Sequence, residues 1–123
     1  MNKKIKNNIL IVEDDETSII FFQEILKKYN YEISIVRTAQ EAISMCQNNK
    51  SIDLILMDIK LPGMNGYEAT QKIREFNPEI IIIAQTAYAL KGDRDKALKA
   101  GCDDYLSKPI DEAKLNEILE KYL

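Results

Sequence analysis

Leu54-Ile-Leu-Met-Asp-Ile-Lys-Leu-Pro-Gly-Met-Asn-Gly66 is the stretch on which the fold turns. Four apolar residues in a row, 54–57, end on an acid and are followed by the turn pair Pro62-Gly63. A short unbroken aliphatic run of this kind fits a strand buried on both faces, as in a parallel sheet covered by helices. Its neighbours should then alternate with helical segments, and they do. Further strand cores lie at 9–12, 33–36, 80–84 and 105–106, and three of the five runs are nearly continuous in aliphatic residues. Between them, Ala39, Ala42, Ile43 and Cys46 follow the i, i+3, i+4, i+7 spacing of a helix face, and so do Leu115, Ile118, Leu119 and Tyr122.

The boundary signals agree. Thr38 with Glu41 reads as a capping box, Asp93 after Gly92 and Asp111 after Pro109 as N-caps, and Gly101 as the glycine that closes a helix. A first helix is expected over roughly 16–29, starting in the acid-rich turn. No linker or repeat divides the chain, so 1–123 is expected to be one domain. A strict (βα)5 alternation implies right-handed crossovers and a three-layer α/β sandwich. Strand order is not readable from one sequence; the flavodoxin-like order 2-1-3-4-5 is the usual one for five such units.

Composition narrows the chemistry. At 46% apolar and 30% charged residues the chain is ordinary for a globular domain, and a net charge of −3 argues against a broad nucleic-acid-binding surface. No apolar run is long enough to span a bilayer, and the run at 9–12 is too short for a signal-peptide core. Cys46 and Cys102 are isolated, as suits reduced thiols, and a cytoplasmic location is expected. Histidine is absent, which excludes Ser-His and Cys-His catalysis, histidine-bound zinc and a phosphohistidine donor role. Carboxylates, hydroxyls and lysines remain.

Open α/β sheets bind ligands beyond the carboxyl ends of their strands. The first strand runs into Glu13-Asp14-Asp15, the third into Asp58, the fourth into Thr86, and the fifth through Ser107 to Lys108. Singly, Asp58 reads as a turn residue, the acids as a solvated first helical turn, Thr86 as a β-branched strand residue and Lys108 as a surface charge. Four segments converging on one rim reverse those readings. Clustered carboxylates repel one another, and a divalent cation relieves the repulsion. Hard oxygen donors without histidine or cysteine select Mg²⁺. A carboxylate beside Mg²⁺, a hydroxyl and an ammonium suits phosphoryl transfer, with Asp58 able to act as nucleophile and form an aspartyl phosphate.

These motifs resemble the receiver domains of two-component response regulators. The resemblance runs from about residue 8 to 123. It is carried by Ile9-Leu-Ile-Val-Glu-Asp-Asp-Glu16, the 54–66 stretch, Ile82-Ile-Ala-Gln-Thr-Ala87 and Asp103-Asp-Tyr-Leu-Ser-Lys-Pro109, while the stretches 86–93 and 100–109 are similar in style to receivers attached to hybrid histidine kinases. It implies Asp58 as phospho-acceptor, Asp14 and the Lys60 carbonyl as direct Mg²⁺ ligands with Asp58, and Glu13 as a ligand through water. Thr86 and Lys108 would hold the phosphoryl group, and Tyr105 would turn inward as a switch when Thr86 moves. It also implies a cis Lys108–Pro109 bond and a Tyr88 that shields the phosphoryl group from water, with the loop over 87–92 expected to be the bistable element of the switch. The partners implied are a histidine kinase or histidine phosphotransfer domain and a downstream protein met by the fourth helix, fifth strand and fifth helix, with no direct nucleic-acid or membrane binding. Asn65-Gly66 replaces the frequent Asp-Gly and suits a turn with positive φ. Met57 and Met64 read as core packing. Such a domain is a binding module that catalyses only its own phosphorylation and dephosphorylation.

Two other classes use related scaffolds. A phosphatase of the haloacid-dehalogenase type needs a second carboxylate two residues after the nucleophile, where Lys60 stands. A flavin carrier would want Gly, Ser and Thr in the first loop, where this chain has acids. No output segment follows 123 in this sequence, so signalling is expected through protein contacts, or the chain is part of a larger protein.

Overall fold

A computed structural model describes residues 6–87 and 92–123. Its elements are β1 (Asn7–Val12), α1 (Glu16–Leu26), β2 (Tyr31–Val36), α2 (Ala39–Asn48), β3 (Leu54–Asp58), α3 (Gly66–Phe76), β4 (Ile81–Thr86), α4 (Asp93–Ala100), β5 (Asp104–Ser107) and α5 (Glu112–Tyr122). All strands pair in parallel in the order β2-β1-β3-β4-β5, the flavodoxin-like arrangement expected. Tyr88 and most of the 87–92 loop lie outside the described residues.

Strand alternation splits the interior into two layers. On one face Leu10, Val12, Ile55, Met57, Ile82 and Ala84 pack with Ala39, Ala42 and Cys46 of α2, Ala69 and Ile73 of α3, and Ala97 of α4. On the other, Ile9, Ile11, Leu54, Leu56, Ile83 and Leu106 pack with Phe22, Ile25 and Leu26 of α1 and with Leu115 and Leu119 of α5. Every residue of β3 is buried, which is why 54–57 carries no polar alternation. Met57 is fully buried and Met64 packs against the same layer, as read from the sequence.

Several boundaries differ from the sequence reading. The first helix ends at Leu26, because the next turn tightens into bonds from Lys28 N to Ile25 O at 3.4 Å and from Tyr29 N to Leu26 O at 3.1 Å. The Thr38 cap is half a capping box: its hydroxyl accepts from Glu41 N at 3.1 Å, but Glu41 accepts from the Arg37 backbone N–H, not that of Thr38. Gly92, at φ 106°, takes the cap position of α4, so Asp93 is the first helical residue. Asp111 caps α5 as expected, accepting from Ala113 N, and Gly101 at φ 109° closes α4. Asn65-Gly66 is not a positive-φ turn. Asn65 caps α3 in a full capping box with Glu68, and Gly66 opens the helix. Lys108–Pro109 is cis.

Candidate functional site

The register of the sheet brings the rim residues together. Val12 pairs with Met57, Asp58 with Gln85, and Gln85 with Leu106. One step past Val12, Glu13 therefore lies level with Asp58. By alternation Asp58 continues the Leu54–Leu56 face, and Glu13 the Ile9–Ile11 face, which is the α1/α5 side of the sheet. Thr86 continues Ile82 and Ala84 on the opposite side, next to Ser107 and one pleat from Tyr105.

Glu13 is fully buried and Asp58 nearly so, at 5% exposure. The Lys108 ammonium lies between them, 3.0 Å from Glu13 Oε1 and 3.4 Å from Asp58 Oδ2. Asp58 Oδ1 accepts the Lys60 backbone N–H at 3.2 Å, and Glu13 Oε2 that of Asp15 at 3.1 Å. Burial raises the Glu13 carboxyl above its ordinary pKa, the bond from Lys108 works against that, and the charge of Asp58 adds to the rise. For Lys108, burial pulls the ammonium down, but its bonds to Glu13 and the charge of Asp58 prevail and leave it raised. Two carboxylates thus share one cation.

The mouth is an open cleft of about 350 Å³ lined by Glu13, Asp14, Asp15, Glu16, Asp58, Lys60, Ala87 and Lys108. Thr86 borders an adjoining cleft that shares Lys60 and Ala87 with the first and adds Asn65, Tyr67 and Lys96. Tyr105 stands apart, half-buried in a groove with Asp104, Lys114, Ile118 and Lys121. Five of the seven rim residues singled out from sequence, Glu13, Asp14, Asp58, Lys60 and Lys108, therefore meet in one cleft. Thr86 approaches from the side, and Tyr105 lies on the face behind it.

Gly66 holds this rim in place. A Cβ there would come within 2.3 Å of the Asp58 carbonyl oxygen, and Gly66 N donates to Ile59 O at 2.9 Å. Sequence reasoning missed two contributors. Arg37 donates to the Asp14 carbonyl at 3.4 Å and pairs with Glu16 at 2.6 Å, a contact across 21 residues that local pattern cannot reveal. Gln85, polar within the run Ile81-Ile-Ile-Ala-Gln-Thr86, did carry a signal.

The donor set fits a magnesium ion. It offers the carboxylates of Asp14, Asp58 and Glu13 and the Lys60 carbonyl, all hard oxygens, and the paired acids exceed the single cation between them. Among the described residues no three Cys, Asp or Glu side chains close on one point as a metal cage.

A parallel (βα)5 sheet with acids and a lysine at its carboxyl rim defines a class of α/β domain that works at the strand ends. Comparison with known proteins narrows this. The response regulator receiver domain family matches residues 9–120. The polar-differentiation response regulator DivK of Brucella anthropi is 36% identical over 118 residues, 94% of this chain and 95% of that one. The receiver domain of a Pseudomonas aeruginosa PAO1 sensor histidine kinase, with a magnesium ion coordinated in its active-site cleft, is 37% identical. It superposes with a TM-score of 0.87 over 95% of this chain and 97% of that one. The receiver domain of Saccharomyces cerevisiae Ssk1, in a co-crystal with the histidine phosphotransfer protein Ypd1, is 32% identical, with a TM-score of 0.90 over 95% and 88% of the two chains. The chain belongs to the response regulator receiver domain family, signalling modules of two-component systems.

Proposed function

We propose that this receiver is a Mg²⁺-dependent phospho-acceptor switch with Asp58 as the acceptor. The observation that carries the reading is the Lys108 ammonium held between Asp58 and a fully buried Glu13. An Asp58 carboxylate oxygen attacks the phosphorus of a phosphohistidine; the new P–O bond forms as the P–N bond breaks, and the imidazole leaves with the electron pair. Lys108 exchanges Glu13 for the transferred oxygens, and the Thr86 hydroxyl donates to them from the other side. Mg²⁺ held by Asp14, Asp58 and the Lys60 carbonyl, with Glu13 reaching it through water, would supply neutralisation of the charge spread over those oxygens. Water later hydrolyses the aspartyl phosphate, so the domain catalyses only its own loading and unloading.

The donor is a histidine kinase or a histidine phosphotransfer domain, a reading supported by the likeness to the Ssk1 receiver crystallised with Ypd1. Output runs through α4, β5 and α5 to a downstream protein. Thr86 and Tyr105 share one side of adjacent strands, so a shift of Thr86 toward the phosphoryl group opens room for Tyr105. Phosphorylation moves this equilibrium only by binding one arrangement better than the other. Residues 1–123 act as one receiver unit in the cytoplasm, without direct contact to nucleic acid or membrane. No helix among the described residues is long and apolar enough to cross a membrane. Incubation with phosphoramidate and Mg²⁺ should add one phosphoryl mass to the wild type and none to Asp58→Asn. Equal gain by both would sink the assignment.

A further inference from the structure

Gln85 is fully buried, and neither its amide nitrogen nor its amide oxygen has a hydrogen-bond partner among the described residues. A primary amide in an apolar layer without partners is unfavourable and calls for a reason. Strand parity supplies one. Gln85 follows Ile83 on the α1/α5 side, the side on which Asp58 and Glu13 also lie. Its in-register neighbours are Asp58 on β3 and Leu106 on β5, and Lys108 follows Leu106 by two residues on that same side. To reach Asp58 on β3 and Glu13 beyond β1, the Lys108 side chain has to cross β4, and Gln85 is the β4 residue at that level. An ammonium has three N–H donors, and Glu13 and Asp58 take two.

We propose that Gln85 is a positioning residue for Lys108: its amide oxygen accepts the third N–H once the ammonium exchanges Glu13 for the phosphoryl group. The role rests on the phospho-acceptor reading above. It makes the amide oxygen an acceptor reserved for the loaded state, which explains why that oxygen lacks a partner among the described residues. Among the nearest same-side neighbours on β3 and β5, Asp58 and Lys108 are the polar ones, and only Lys108 brings a donor to an amide oxygen.

The test combines a variant with a measurement on the unaltered chain. Gln85→Met keeps the length of the side chain and removes both polar groups. Its melting temperature should hold or rise, while its loading by phosphoramidate slows about tenfold, the loss of one charge-assisted hydrogen bond. In wild-type protein the Gln85 side-chain amide resonances should move when Asp58 is loaded, along with the Lys108 ammonium nitrogen, and the Lys108 shift on loading should be smaller in Gln85→Met, a dependence that a merely structural glutamine would not give. Loading of Gln85→Met at the wild-type rate, or wild-type amide resonances that stay in place, overturns the role while leaving Asp58 as acceptor. A wild type that gains no phosphoryl group removes both readings together.

Discussion

Replacing Gly66 with alanine sets two physical effects against each other at the edge of the site. Gly66 is helical and its φ is negative, so backbone preference alone makes Gly66→Ala stabilising by up to about 1 kcal/mol. The surroundings say the opposite. The added Cβ would sit 2.3 Å from the Asp58 carbonyl oxygen, 2.8 Å from Ile59 Cα and 3.0 Å from the Asp58 carbonyl carbon, all backbone atoms that no rotamer change can clear. Restoring an ordinary contact of about 3.4 Å requires the helix start or the end of β3 to retreat by roughly 1 Å. Overpacking of this kind costs about 1–3 kcal/mol, and the bond from Gly66 N to Ile59 O at 2.9 Å stretches with it. The clash wins, and a net loss of about 1–2 kcal/mol is expected in urea unfolding. The displaced backbone is that of Asp58 itself, so loading of Asp58 should slow as well. Gly63 provides the control. It has open space around it but φ +77°, so Gly63→Asn should be tolerated where Gly66→Asn is not. A Gly66→Ala protein as stable as wild type would refute the reasoning, since propensity would then have outweighed the contact.

The Lys108–Glu13 pair should show coupling: Lys108→Met leaves two buried acids without their cation and destabilises, and a Glu13→Gln background recovers part of the loss. A double-mutant cycle by urea denaturation should give an interaction of about 1–3 kcal/mol, and strict additivity would contradict the shared-cation geometry. Burial pushes the Cys46 and Cys102 thiols up to about 11, so both should resist a thiol-disulfide reagent at pH 8 in folded protein and react promptly in urea. Rapid labelling of the native state would contradict their burial. Arg74 donates to the carbonyls of Gly101 and Ile80 and pairs with Asp103 at 2.8 Å, so Arg74→Lys, which loses the planar fork, should lower stability by about 1–3 kcal/mol in the same assay.

What could be read beforehand and what could not divide along the same line as these contacts. The central strands β1, β3 and β4 were legible because residues buried on both faces leave no polar alternation, and 54–57 has none. The rim was legible because each polar residue of interest adjoins an aliphatic run, so locating the run located Asp58, Thr86 and the Glu13–Asp14 pair. Helix ends were less so: Asp93 and Gly92 both suit the start of α4, and the choice was made by a backbone angle. The purpose of Gly66 was hidden, since a glycine needed for positive φ and one needed for a missing Cβ look alike in a sequence.

Parity along the strands carries one step further. Counting from the aliphatic positions, Asp58 falls on the side of Leu54 and Leu56, and Thr86 on the side of Ile82 and Ala84. Asp58 is therefore flanked by groups that arrive around opposite faces of one sheet, Lys108 from the α1/α5 side and Thr86 from the α4 side. A group added at Asp58 meets both, but the two faces have different occupants behind them. Behind Lys108 lies an apolar layer with Phe22, Leu106 and Leu115, opened at the surface by a cleft of about 450 Å³ between α1 and the Lys108–Ile110 segment. Behind Thr86 lies the half-buried Tyr105, beside an open groove. On the proposed reading a change at Asp58 is passed outward through Thr86 to Tyr105, which has an open groove beside it to move into. Filling the groove beside Tyr105, for example with Glu117→Trp, should weaken the shift changes that loading causes along β5 while leaving the loading rate at Asp58 unaltered. If those shifts persist undiminished, Tyr105 is not the element that carries the signal.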